Sequence, residues 1–131
     1  MNNSLGKKER LKSKKAVSEI FGAQKSSVKA FPFRAFYSIT ESQRPIAKFG
    51  IAVPKKKFKR AVDRNRVKRL VKESIRTNKF DLNNELKKSS LSMNIMIVCQ
   101  ADNLPSFNTV ELKIKEVLKK LSQVVIAYEK E

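Results

Sequence analysis

The chain has 131 residues, 30 of them Lys or Arg against 12 Asp or Glu, for a formal net charge of +18. That length suits one domain, and a hydrophobic content of 40% is enough for a core, so wholesale disorder is excluded. With no histidine, a Ser-His-Asp triad, a Cys-His pair, an imidazole general base and a His-ligated zinc site are all excluded.

A single cysteine, Cys99, rules out an internal disulfide framework, and its apolar neighbours Ile95 to Val98 mark it as a buried small hydrophobe. No stretch reaches the roughly 18 apolar residues that span a bilayer. The segment from Met1 to Lys15 is polar and basic, without the apolar run of a secretory signal. The expectation is a cytoplasmic protein whose charge seeks a polyanion, nucleic acid before membrane.

In chain order, residues 1–12 read as a basic, flexible tail and 13–128 as one domain. Residues 13–22 predict a short helix, capped by Ser13, with Val17, Ile20 and Phe21 on one face and Gly22 at its end. Two strands follow at 27–31 and 33–39, rich in Val, Phe, Tyr and Ile. After a polar turn from Thr40 to Pro45, residues 47–53 alternate, with Phe49, Ile51 and Val53 facing one way and Lys48, Gly50 and Ala52 the other. Pro54 stops this strand because it lacks the N–H a ladder needs. From Ala61 to Asn78 the period turns helical, with Val67, Leu70, Val71 and Ile75 in one stripe. No element is assigned between 78 and 93. Residues 93–99 predict a nearly all-apolar strand covered on both faces. Residues 109–127 predict a closing helix with Val110, Ile114, Val117, Leu118, Leu121 and Val125 on its core side. The fold class is α+β, a single-domain α-β-β-β-α-β-α sandwich with helices packed on a small, mainly antiparallel sheet.

The charge is concentrated. Between Lys55 and Lys79 twelve basic residues face only Asp63 and Glu73, a net +10, and the N-terminal segment adds about five more. On a wheel of about 100° per residue, the 61–78 helix turns Asn65, Arg69, Lys72 and Arg76 away from its apolar stripe. Lys68 lies beside them, and Arg64 and Arg66 fall on the two flanks. One buried face and one face this basic is an electrostatic footprint for phosphates, joined by Lys55 and Lys56 in the preceding loop. Arginine adds a planar fork that grips phosphate bidentately or stacks on a base. Two other readings exist. A solubilising face would alternate in sign, and a membrane-surface helix would carry aromatics on its apolar side.

The string Ala61-Val62-Asp63-Arg64-Asn65-Arg66-Val67-Lys68-Arg69-Leu70, entered from Gly50-Ile51-Ala52-Val53-Pro54-Lys55-Lys56, resembles the protein subunit of bacterial ribonuclease P. Upstream, Arg10-Leu11-Lys12 and Ile20-Phe21 are similar to that family's opening, so the resemblance runs from about Arg10 to Leu121. It implies a protein that binds a large catalytic RNA and the 5′ leader of precursor tRNA. It also implies metal-assisted hydrolysis, with Mg²⁺ held chiefly by RNA. By the same resemblance Arg64, Asn65, Arg66, Lys68 and Arg69 face the catalytic RNA, and the leader lies in a cleft between the first helix and the sheet. Phe21 and Phe36 match the aromatic positions of that cleft, with Arg34, Arg10 and Lys12 as its basic rim and Ser38 sharing the face of Phe36. Either phenylalanine also reads as plain core.

The resemblance further implies a left-handed β-α-β crossover, against the general right-handed rule. Two positions depart from the family. The segment Lys57-Phe58-Lys59-Arg60 lacks the usual glycine and is one residue longer, so its loop takes another shape. Val17 stands where an aromatic is common. The competing function is a structural RNA-binding protein, such as a ribosomal protein, with a DNA-binding architectural protein as a third reading. Composition alone separates none of these.

Overall fold

Side-chain alternation in the longest strands sets the frame. In the computed structural model, which describes residues 26–129, the order is β1 (Ser27–Ala30), β2 (Phe33–Glu41), β3 (Ala47–Ala52), α1 (Ala61–Asn78), α2 (Phe80–Ser89), β4 (Leu91–Cys99) and α3 (Phe107–Glu129). The helix expected at 13–22, with the basic segment before it, lies outside the described residues.

The four strands form one sheet in the order β1-β2-β4-β3. β1 and β4 flank β2 in antiparallel pairings, while β3 runs parallel to β4, with Phe49 opposite Ile95 and Ile51 opposite Ile97. A parallel pair cannot be closed by a hairpin, so the chain between β3 and β4 must cross over, and it does so as α1 and α2. Leu91, Met93, Ile95, Ile97 and Cys99 are all buried on one face of β4, together with Phe33 and Ala35 of β2 and Ala47 and Phe49 of β3. That inner face receives the buried stripes of the helices: Val67, Val71 and Ile75 from α1, Leu82 and Leu86 from α2, and six residues of α3 from Val110 to Val125. A buried, well-packed aliphatic side chain of this kind contributes roughly 1.5–3 kcal/mol. Burial also pushes the Cys99 thiol above its ordinary range.

Three expectations need correction. The segment without an assigned element contains α2, which turns the order into β-β-β-α-α-β-α over the described residues. Its amphipathic signal consists of only Leu82 and Leu86, one helical turn apart, and its Asn83-Asn84 pair resembles turn chemistry. β4 begins at Leu91, two residues early, and β2 reaches Glu41. β4 is also not sealed on both faces: Ser92, Asn94, Met96 and Val98 alternate with the buried residues and are half-buried. Its centre position in the sheet explains the apolar run, and its outer face belongs to the surface described next.

Candidate nucleic-acid interface

Pro54 ends β3 and starts the loop into α1. Its carbonyl accepts the N–H groups of Lys57 (3.2 Å) and Phe58 (3.1 Å), and Phe58 swings its ring into the core. Among the described residues only Ser90 has a positive φ outside glycine, so the loop stays in ordinary backbone regions and needs no glycine. The turn at Pro54 and the buried ring of Phe58 give the loop its shape. Lys57 pairs with Asp102 of the loop after β4, while Lys55, Lys56, Lys59 and Arg60 stand exposed.

Arg60 caps α1 in extended conformation without a side-chain hydrogen bond. The nearest anchor is Arg64, whose Nη1 donates to the carbonyls of Phe58 (2.8 Å) and Lys59 (2.9 Å). Part of this guanidinium is therefore committed to shaping the loop, and the side chain is half-buried rather than on an open flank. The wheel agrees once the stripe is centred between Val67 and Val71, because Arg64 lies about 20° from Val71.

The remaining cations form a ridge. Asn65, Arg66, Arg69 and Lys72 are exposed, Lys68 is half-exposed, and Arg76 follows one turn later. Arg76 Nε donates to Glu73 at 3.0 Å, and this hydrogen bond holds the Glu73 carboxyl below its ordinary range. The pair lies at the surface, with Glu73 exposed and Arg76 half-buried, so it orients the guanidinium more than it stabilises the fold. With Val67, Val71 and Ile75 fully buried on the other side, the helix cannot rotate. The ridge presents fixed positive charge beside a helix N-terminus whose first N–H groups carry no side-chain cap.

A second surface lies on the outer face of the sheet. Arg34, Phe36 and Ser38 of β2 occupy it, as period-two alternation predicts. Arg34 Nε donates to Ser27 Oγ at 3.1 Å, and its guanidinium carbon sits 5.1 Å from the centre of the Phe36 ring. This cation–π stack holds an aromatic plane and a positive charge together. Across the strands Phe36 is level with Met96 and then Gly50, and Ser38 with Asn94 and then the exposed Lys48. Gly50 leaves that row without a side chain, so the sheet is shallow beside Met96. Arg10, Lys12 and Phe21, assigned to the same cleft, lie outside the described residues.

The three described helices pack on the inner face, so the α1 ridge and the Phe36 surface belong to different layers. Sequence reasoning missed Lys48 as a member of the second surface, although strand alternation already turned it away from Phe49. It also missed Phe58, whose burial no local period announces. Among the described residues no group of three His, Cys, Asp or Glu side chains could hold a metal ion.

Comparison with known proteins gives these surfaces a context. Residues 5–122 match the family model described as Ribonuclease P. The chain is 38% identical over 115 residues to a ribonuclease P protein component of Porphyromonas gingivalis, covering 87% of this chain and 83% of that protein. It is 30% identical over 128 residues to the corresponding protein of Chlorobaculum tepidum, covering 91% and 83%. The Staphylococcus aureus RNase P protein structure superposes with a TM-score of 0.63 at 22% identity, covering 86% of this chain and 94% of that one.

Proposed function

The chain belongs to the ribonuclease P protein family, and on that premise we propose that it binds the catalytic RNA of ribonuclease P through the α1 ridge and the 5′ leader of precursor tRNA through the outer face of the sheet. The observation that carries this reading is a helix locked by a buried stripe while Asn65, Arg66, Arg69 and Lys72 face solvent as one basic ridge. A helix held in place meets the closely spaced phosphates of a folded RNA with its backbone already ordered, so only the side chains of the ridge lose freedom on binding. The Phe36 surface is chemically different. An aromatic plane beside an arginine holds unpaired bases with little regard to sequence, which suits a leader that varies from one tRNA to the next. Two surfaces on separate layers let one small protein hold both RNAs at once.

In this reading the protein acts in the cytoplasm and is not itself the catalyst. It assists a Mg²⁺-dependent phosphodiester hydrolysis in which the ion is held chiefly by RNA. In this reading the protein's part is to bind and orient: Arg69 and Lys72 neutralise backbone charge, Arg64 and Phe58 fix the loop that carries Lys55 and Lys56, and Arg34 with Phe36 steadies the strand to be cut away. Reconstitution with a ribonuclease P RNA and precursor tRNA at low Mg²⁺ tests it. The expected result is faster cleavage than with RNA alone, and tighter substrate binding when the leader is long enough to cross the sheet. Cleavage no faster than RNA alone, with affinity indifferent to leader length, overturns the reading.

A further inference from the structure

The basic ridge continues past the end of α1. Its positions Asn65, Arg69, Lys72 and the half-buried Arg76 recur at the helical period, and the next steps of that period are Phe80, Asn83 and Lys87 in α2. Lys79, the joint between the helices, is itself right-handed helical (φ −80°, ψ −6°), and its carbonyl accepts the N–H of Asn83 at 3.0 Å. The chain therefore passes the joint without reversing direction. Both helices pack on α3 and bury their stripes in one core, α1 with Val67, Val71 and Ile75 and α2 with Leu82 and Leu86, so the opposite side of each helix is turned outward.

Phe80 stands on that side, about 160° around α2 from the buried Leu82, and it is 72% exposed. Among the large apolar side chains of the described residues none is more open to water. The core has no use for it. Its surroundings are Arg76, Lys79 and Lys87 against Asp81 and Glu73, the latter paired with Arg76, so they stay net positive and favour a cover that is aromatic or apolar and also anionic. An unpaired nucleotide has both properties: a π face that stacks on phenylalanine and a phosphate that meets the flanking cations. A protein surface would need an apolar pocket set in acidic residues.

We propose that Phe80 is a stacking platform for an unpaired base of the RNA lying along α1, which extends the RNA interface across the joint and onto α2. The proposal rests on the RNA-binding reading above and adds to it a specific contact on an element outside the α1 motif.

The test compares Phe80→Ala, Phe80→Trp and, as a control on the ridge itself, Arg69→Ala, each titrated with ribonuclease P RNA over a salt series. The chain contains no tryptophan, so Phe80→Trp installs a unique fluorophore at the site. Phe80→Ala is expected to weaken binding roughly 5- to 150-fold with an unchanged salt slope, because the lost contact is stacking and not charge. Phe80→Trp is expected to bind at least as well as the parent, with its emission quenched and protected from acrylamide by RNA. Wild-type affinity for Phe80→Ala, or an unquenched Phe80→Trp, overturns the inference, while a weakened Arg69→Ala in the same series leaves the RNA-binding reading standing. Failure of the unsubstituted protein to bind the RNA overturns both. A smaller sedimentation coefficient for Phe80→Ala without RNA assigns the ring to a contact between copies of the chain, which also overturns the inference.

Discussion

Arg64 and Arg69 sit on one helix in one basic string, yet the fold gives them different work. Arg64 Nη1 bridges the carbonyls of Phe58 and Lys59 and so ties the helix to the loop that precedes it, whereas Arg69 stands exposed. The two hydrogen bonds are charge-assisted but half-exposed, which places their worth at about 1–2 kcal/mol. Arg64→Ala is therefore expected to lower unfolding free energy by about that amount in urea titrations. Arg69→Ala is expected to change it by less than about 0.5 kcal/mol. Equal destabilisation by both substitutions would mean that the Arg64 contacts are not formed in solution. The spacing of residues places Arg64 near the buried stripe, but only the position of the loop carbonyls shows what its guanidinium holds.

The joint between α2 and β4 concentrates the second scale. α2 ends because Ser90 takes a left-handed conformation (φ 54°, ψ 45°), from which its N–H reaches back to the carbonyls of Leu86 and Lys87. Its own carbonyl then accepts the N–H of Ser42, which fixes the β2–β3 turn against the start of β4. Glycine fills such a position in most helices because it lacks the Cβ that the left-handed region crowds. Ser90→Gly is expected to raise stability by about 0.5–1 kcal/mol, read as a few degrees in thermal melting, with RNA affinity unchanged. A lower melting temperature would show that the serine side chain carries weight that its backbone conformation does not. The sequence legibly marks α1 and α3, where long stripes repeat the helical period, and it marks β1 to β3 by alternation and β4 by its apolar run. It does not mark α2, because two leucines make too short a period to stand out. The glycine-free loop is legible only as an anomaly, since its solution is the burial of Phe58, a contact with residues distant in the chain.

At the scale of the whole molecule, the described residues gather their positive charge on distinct surfaces. The α1 ridge gathers one share, and the outer sheet face holds Arg34 and Lys48 on the other layer. Salt dependence separates a phosphate contact from a merely solvated charge. Arg69→Ala should reduce the slope of log affinity against log salt by about one. Lys115→Ala, on the solvent side of α3 where the ammonium lies 3.9 Å from Glu111, should leave the slope unchanged. Equal slopes for the two variants would mean that the ridge is not where the RNA lies.

The amino-acid sequence by itself determined the charge, the exclusion of histidine chemistry, the family string at 61–70 and the two long amphipathic helices. Each of these is local and is written in residue type or period. Tertiary structure decided which cations are available and which are structural, that the crossover contains two helices, and that Phe80 stands in water at the end of the ridge. These facts follow from packing on α3 and from carbonyls supplied by a preceding loop, and no window of consecutive residues contains them.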